Sequence, residues 1–232
     1  MKLSATYTAL YLVFGICVLP QAKASLILYL NFDNSSDVGQ SAVGDDLNAV
    51  GDAAHSTTAK IGGGSLSLDG SGDYLRRDSS DSVVTGLPTG DSSYTLSAWI
   101  RSTNSGTANG IIGWGDYGTG GEVNAFRTGN ANPTQNGLLN YGWGPGFDYA
   151  ASADPYDGLW HHVVATYDSA SSTKRLYFDG AEIGSGMVIP NLSVASSNFR
   201  IGSTNSGEFF NGMIDDLGVY DHALSSGSIQ SI

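Results

Sequence analysis

The sequence predicts an all-β fold, namely one antiparallel two-sheet sandwich of the jelly-roll type. Its 232 residues include 32 Gly, and 19 of the 22 acidic residues are Asp rather than Glu. Gly and Asp favour turns, whereas the Glu and Lys that support long helices are scarce. About a dozen short segments between these turns have the composition or alternation of β-strands.

The first predicted strand lies within residues 25–33. Its apolar side chains at Leu26, Leu28, Leu30 and Phe32 share one face, because successive side chains of a strand point in opposite directions. The apolar face predicts a strand that covers part of the core.

The clearest strand covers Tyr94–Arg101, where Leu96, Ala98 and Ile100 alternate with mainly polar residues. The pair Asp179-Gly180 lies between two strand-like runs and predicts a tight hairpin. The other predicted strands, with a helical turn as the last segment, cover residues 66–68, 74–76, 110–115, 122–127, 137–143, 160–167, 175–178, 181–183, 198–201, 209–220 and 223–229.

Residues 1–24 have the features of a secretory signal peptide. Lys2 precedes an apolar run over residues 9–19, shorter than the roughly 20 residues that cross a bilayer. The segment Ala22-Lys23-Ala24 then supplies an A-x-A cleavage pattern before Ser25. We therefore expect export to an extracellular or periplasmic location. The alternative is an uncleaved amphipathic N-terminus.

We expect one jelly-roll domain over residues 25–232. Cys17 is the only cysteine and lies in the predicted signal peptide, so disulfides and zinc thiolates are not expected in the mature domain. The net charge is −12 and the isoelectric point is about 4.4, which disfavours a nucleic-acid partner because phosphate backbones are repelled. We find no later segment with the length and apolarity of a membrane span.

Five segments together resemble the laminin-G-like domains of the concanavalin A-like lectin/glucanase superfamily. They occur in the order and spacing of that family, and the opening residues 30–33 are also similar to its first strand. The resemblance implies a two-sheet jelly roll, an extracellular location, and binding to sugars or proteins, in some members with calcium. The five segments cover residues 69–74, 94–100, 158–168, 176–180 and 212–225.

Calcium is the candidate cofactor. It takes 6–8 oxygen ligands, mostly carboxylates and carbonyls, and the first and last strands of a jelly roll normally lie side by side. We therefore expect Asp33 near Asp215 and Asp216, with Asp69 and Asp73 as further candidate ligands. The alternative is that these Asp residues form turns or lie in solvent. The chain also lacks the D-x-D-x-D-G run of a dedicated calcium loop.

Aromatic residues in Gly-rich segments beside carboxylates form the candidate glycan site. Sugar rings have apolar C–H faces that stack on aromatic rings, and hydroxyls that bind Asp. The alternative is that these rings fill the ends of the sandwich, while Trp99 and Trp160 are assigned to the core. The candidate residues are Trp114, Asp116, Tyr117, Trp143, Phe147, Asp148 and Tyr149.

No catalytic residues are predicted. Glycanases of this fold resemble one another in a Glu-x-Asp-x-Glu cluster, but Glu122, Glu182 and Glu208 lie in separate segments here. Asp pairs could in principle supply an acid and a base, yet no pair stands out. His161 and His162 are strand neighbours that point to opposite faces, so they cannot chelate one ion and are expected to be structural.

The sequence thus favours a secreted, non-catalytic module that binds a glycan or an extracellular protein, with calcium as the candidate cofactor. One alternative is a polysaccharide hydrolase or lyase on the same fold. Another is a structural cell-envelope protein without a small ligand, and the oligomeric state is left open.

Overall fold

The computed structural model describes residues 25–80, 82–105, 108–129, 136–204 and 207–232, so the predicted signal peptide lies outside the described residues. Within these ranges the chain forms fifteen strands and one short helix. The strands are β1 (Leu26–Leu30), β2 (Asn48–Val50), β3 (Ala54–Ser56), β4 (Ser65–Asp69), β5 (Tyr74–Arg76), β6 (Tyr94–Arg101), β7 (Asn109–Gly115), β8 (Val123–Thr128), β9 (Gly137–Tyr141), β10 (Tyr149–Ser152), β11 (His161–Asp168), β12 (Thr173–Phe178), β13 (Ala181–Val188), β14 (Arg200–Ile201) and β15 (Asn211–Tyr220), and the helix is α1 (Ser226–Ile229).

These strands form two antiparallel sheets, which confirms the predicted two-sheet sandwich. Sheet A has the order β13-β12-β11-β6-β15-β4-β3, and β1 pairs with β15 beside β4. Sheet B has the order β10-β9-β8-β7-β14-β5-β2. The first and last strands are therefore neighbours, with Leu30 opposite Leu217.

Alternating side chains of both sheets fill the space between them. The predicted pattern of β6 is confirmed, because Leu96, Ala98 and Ile100 are buried in the main core. Sheet B contributes residues such as Trp114 and Phe126 to the same core. Burial of such side chains stabilises the fold by roughly 1.5–3 kcal/mol each.

The β12–β13 connection is the tight hairpin that the sequence predicts. Asp179 and Gly180 have φ values of 49° and 78°, and two consecutive positive φ values are typical of a type I′ turn, which matches the twist of antiparallel strands. This turn fixes the position of the Asp179 side chain at one end of sheet A.

The C-terminal helix α1 covers part of the outer face of sheet A. Ser225 caps the helix by accepting a hydrogen bond from the Ser228 N–H. Ile229 is fully buried and packs with Val164 and Tyr177. The helix therefore forms one wall beside the exposed end of β11. No helix in the described part of the chain is long and apolar enough to span a membrane.

Candidate functional site

Two of the predicted calcium ligands hold the loop that precedes β4. Asp33 accepts hydrogen bonds from the Gly63 and Gly64 N–H groups at 2.5 and 3.0 Å. Asp215 accepts hydrogen bonds from the Lys60 and Ile61 N–H groups at 2.7 and 3.2 Å. Both carboxylates therefore fix loop backbone that no strand pairs.

A bulge in β15 brings a third carboxylate to this region. The pairing with β6 shifts between Asp215 and Gly218, and Asp216 has a φ of 44°, so regular alternation is interrupted. Asp216 accepts a hydrogen bond from the Tyr29 hydroxyl. Burial raises the pKa of Asp216 above its ordinary value and that of Asp215 to about 6, although backbone N–H groups oppose the shift at Asp215.

The other two predicted calcium ligands lie at the opposite end of β4. Asp73 is buried and accepts hydrogen bonds from the Asp52 N–H at 2.6 Å and the Asp69 N–H at 3.1 Å. Asp69 binds the Ser71 N–H of its own turn at 2.7 Å. The five carboxylates therefore form two separate groups, which corrects the predicted common site.

No group of three or more His, Cys, Asp or Glu side chains within the described ranges is arranged to hold a metal ion. The carboxylates named above bind backbone N–H groups or a tyrosine hydroxyl instead of facing one another around a common point. The residues present thus do not fit the predicted calcium site, and calcium binding stays a prediction without a preformed set of ligands.

Trp114 corrects one member of the predicted glycan site. Its side chain is fully buried in the core and its Nε1–H donates to the Pro88 carbonyl at 2.9 Å. The ring packs near Tyr94 and Phe199. A fully buried indole offers no surface for a sugar to stack on.

Three further predicted residues hold a turn and a sheet edge. Phe147 packs against the core, and the Asp148 carboxylate accepts hydrogen bonds from the Gly142 and Gly144 N–H groups at 3.0 and 3.2 Å. Tyr149 is buried, and its hydroxyl donates to the Ile183 carbonyl at 3.2 Å. These contacts join the 142–149 segment to both sheets, as the space-filling alternative predicts.

Tyr117 and Trp143 lie together on the outer face of sheet B. Their rings are 6.0 Å apart, and Tyr141, which the sequence did not single out, lies 6.4 Å from each. We call these three rings the Tyr–Trp face. Arg127 lies over Tyr141 at 5.1 Å. Asp116 is exposed beside this face.

A groove of about 650 Å³ lies on the outer face of sheet A. Trp99 and Trp160 both line it and are partly exposed, so their assignment to the core was wrong. Trp99 lies on the outward set of β6 positions, which a sheet leaves open unless another layer covers it. We call it the Trp99 groove, and it is lined by Lys60, Trp99, Leu159, Trp160, His161, His162, Asp179, Gly180, Ala181, Ile229, Gln230 and Ile232.

A cross-strand row forms the floor of the Trp99 groove. Trp99 lies opposite His162 on β11 and opposite Asp215 on β15. The Trp99 and His162 rings are 5.1 Å apart, and His162 Nε2 is 2.8 Å from the Ser97 hydroxyl. Burial lowers the pKa of His162 below its ordinary value, so the floor is neutral at this position near pH 7.

Lys60 extends over this floor. Its ammonium lies 4.1 Å from the centre of the Trp99 ring, within the range of a cation–π contact. The backbone N–H of Lys60 is bound by Asp215. The bulged strand therefore places a positive charge above an indole face.

His161 lies at the rim, between two carboxylates. Its Nδ1 is 2.8 Å from Asp179 and its Nε2 is 3.0 Å from Asp157, while its ring stacks on Phe178. Burial opposes protonation of His161, but the two aspartates outweigh it and raise the pKa above 6.5. His161 and His162 thus contact different groups.

Two of the three Glu side chains belong to separate ion pairs rather than to one catalytic cluster. Glu182 pairs with Arg175 at 2.6 Å in sheet A, and Glu208 pairs with Arg127 beside sheet B. Tyr141 also donates to Glu208 at 2.8 Å. Paired catalytic carboxyls must lie within about 5–10 Å across a scissile bond, and these two contact different sheets.

The fold and the sequence define the family of this chain. Residues 69–230 match the sequence profile of a laminin-G-like family described as the concanavalin A-like lectin/glucanases superfamily. The chain belongs to this superfamily, as the resemblance predicts.

Several solved structures share the fold at low sequence identity. Domain 4 of AbnA, a GH43 extracellular arabinanase from Geobacillus stearothermophilus solved with arabinotriose, is 20% identical with a TM-score of 0.69, covering 90% of this chain and 98% of that domain. The binding domain of Paraclostridial Mosquitocidal Protein 1 is 14% identical with a TM-score of 0.62, covering 89% of this chain and 51% of the other. The botulinum neurotoxin serotype G binding domain is 16% identical with a TM-score of 0.61, covering 89% and 50%.

A curated relative matches a shorter part of the chain. It is the rat (Rattus norvegicus) sushi, von Willebrand factor type A, EGF and pentraxin domain-containing protein 1, which is 28% identical over 86 residues. The match covers 33% of this chain but 2% of that protein. It thus concerns one small part of a much larger molecule.

Proposed function

We propose that this chain is a secreted, non-catalytic carbohydrate-binding module that holds a glycan in the Trp99 groove. The observation that carries the proposal is the pair of partly exposed indoles, Trp99 and Trp160, in one groove with hydrogen-bonding side chains. Indole faces stack on the apolar faces of sugar rings, and the nearby polar groups bind hydroxyls.

The polar groups of the groove are held in place before a ligand arrives. Asp179 accepts hydrogen bonds from the His162 N–H at 2.9 Å and contacts the His161 ring at 2.8 Å. A carboxylate fixed in this way can accept a hydrogen bond from a sugar hydroxyl and loses little conformational freedom on binding. Gln230 of the C-terminal segment lines the same groove and adds an amide.

The size of the groove and one relative also support a glycan. A volume of about 650 Å³ lies within the range of roughly 300–1,000 Å³ that is usual for ligand sites. The AbnA domain, which has this fold over nearly its whole length, was solved with arabinotriose. This likeness supports an oligosaccharide as ligand, although a shared fold alone does not identify one.

The proposal of a non-catalytic, exported protein rests on four further observations. Glu182 and Glu208, the two Glu residues in defined ion pairs, do not face each other. Two of the structural relatives are binding domains. Residues 1–24 have the pattern of a signal peptide, and the arabinanase that contains the AbnA domain is described as extracellular.

A glycan array followed by calorimetry tests the proposal. We expect Trp160→Ala to weaken binding of the selected glycan by about tenfold or more, because a stacked aromatic ring is lost. Trp143→Ala is the matched control, since Trp143 is a partly exposed indole on the Tyr–Trp face. Unchanged affinity in Trp160→Ala would refute the groove as the site, and a loss confined to Trp143→Ala would assign binding to the Tyr–Trp face.

The same preparation tests the absence of catalysis. Incubation of the purified chain with the polysaccharides that bind on the array should release no reducing ends above a heat-treated sample. Release that persists after further purification would favour the polysaccharide-degrading alternative.

A further inference from the structure

We propose that the Trp99 groove prefers a glycan that carries a single carboxylate, and that Lys60 binds this carboxylate. The inference rests on the proposed function, because it names the class of sugar that the same groove selects. The observation behind it is a cation without an anionic partner, held above an aromatic floor in an acidic protein.

Lys60 differs from several other cationic side chains of the described residues. Arg77, Arg127 and Arg175 each contact a carboxylate at 3.0 Å or less, and Lys174 is fully buried. Lys60 is exposed, and within the described part of the chain no carboxylate lies within 4.0 Å of its ammonium. Its charge is therefore available to a ligand.

The chain holds Lys60 in position from its backbone. Asp215 binds the Lys60 and Ile61 N–H groups, and Asp33 binds the Gly63 and Gly64 N–H groups a few residues later. The side chain then lies against the Trp99 ring. A charge that is already oriented costs less conformational entropy on binding than one on a free lysine.

The carboxylates near Lys60 do not compete strongly for it. Asp179 and Asp157 both face His161, with N···O distances of 2.8 and 3.0 Å. Asp215 directs its oxygens to backbone N–H groups, including that of Asp216 at 2.9 Å. The ammonium above Trp99 is thus the group of the groove that lacks a counter-ion.

The rest of the molecule limits how much negative charge a ligand can carry. The net charge is −12, so a polyanion would meet repulsion from most of the surface. One carboxylate beside Lys60 forms a charge-assisted hydrogen bond while the sugar ring contacts the indoles. At about 150 mM salt the Debye length is about 8 Å, so this contact persists while distant carboxylates are screened.

A matched set of glycans tests the proposal by calorimetry at constant ionic strength. The probes are an oligosaccharide with one terminal glucuronic acid, its methyl ester, the neutral oligosaccharide with glucose at that position, and the same neutral sugar with one sulfate. We expect the glucuronic acid probe to bind about five- to tenfold more tightly than its ester. The sulfated probe distinguishes recognition of a carboxylate from attraction to any anion.

Variants at Lys60 link this preference to the residue. Lys60→Gln should reduce affinity for the acid to that for the ester, whereas Lys60→Arg should keep the preference. Arg77→Gln is the control, because it removes one positive charge from a partly exposed pair outside the groove. Because Lys60 is exposed, Lys60→Gln should fold like the wild type, and circular dichroism checks this.

The outcomes separate this inference from the proposed function. Equal affinity for the acid and the ester, or a preference that survives in Lys60→Gln, overturns the role of Lys60. If neutral probes still bind and Trp160→Ala still weakens that binding, the glycan-binding function stands without the acid preference. Tighter binding of the sulfated probe than of the acid overturns the carboxylate. If no probe binds and the array is blank, both proposals fail.

Discussion

Replacement of Lys174 by Met should change how the stability of this protein depends on pH. Lys174 lies on β12 with no exposed surface, between the two sheets. Its ammonium donates to the Phe147 carbonyl at 2.9 Å and the Asn140 carbonyl at 3.4 Å. Burial lowers its pKa from 10.5 to about 7, although the charge of Asp148 opposes the shift.

The direction of the pH effect follows from the two states. Because the pKa is lower in the folded than in the unfolded state, the unfolded chain binds more protons between these values, and stability rises with pH. A pKa change from 10.5 to about 7 corresponds to at most about 5 kcal/mol. From about pH 7 to about pH 9, this lysine should add about 2 kcal/mol to the free energy of unfolding.

Methionine has a volume similar to that of lysine and cannot titrate. Lys174→Met should therefore lose this dependence of the free energy of unfolding on pH. Below about pH 7 the variant avoids the cost of a buried charge, but two carbonyls lose a donor at about 1–3 kcal/mol each. These two effects oppose each other, so the difference in unfolding free energy between the variant and the wild type at a single pH is less informative than the change of that difference with pH. The variant should become less stable relative to the wild type as the pH rises.

Urea unfolding followed by tryptophan fluorescence at several pH values from about 6 to about 9 measures this change. The upper limit avoids the titration of the tyrosines. Burial raises their pKa values, as at Tyr94 and Tyr167, so their ionisation at higher pH destabilises the fold. Lys60→Met is the control, since the lysine it removes is exposed. Parallel curves for Lys174→Met and wild type would refute the buried titrating lysine.

Three other predictions concern the rim of the groove, the loop that carries Lys60, and calcium. His161→Gln should remove stability that is full below about pH 6.5 and is lost as the pH rises through the raised pKa of His161; thermal melts of both proteins at pH 5 and pH 8 check this, and an equal loss at both pH values would contradict it. Asp215→Ala should free the N–H groups of residues 60 and 61 and destabilise the fold by about 1–3 kcal/mol. Hydrogen exchange should become faster in that loop alone, and unchanged exchange would contradict a role of Asp215 in holding it. The melting temperature with calcium and with chelator tests the calcium prediction. Because the five predicted ligands do not converge, we expect equal values, whereas a rise with calcium would show that the folded state binds the ion.

Local patterns in the sequence were sufficient for the fold. The alternation of Leu96, Ala98 and Ile100 identified β6 and its buried face, because the period of a strand is set by its own backbone. The Asp179-Gly180 pair identified a turn whose positive φ values follow from the conformational preferences of those two residues. The family resemblance extended these local predictions to a jelly roll of two sheets.

The candidate site depended on contacts between distant segments. Trp99 and Trp114 both lie in strands, yet Trp114 faces the core and Trp99 faces a groove. Alternation in the sequence separates the two faces of a strand, but it does not show which face another layer covers. Lys60 reaches Trp99 through Asp215, which is 155 positions away in the chain. The sequence by itself determined the strands and turns, because short-range sterics and patterning govern them, and only the packing of the two sheets decided which side chains meet in the groove.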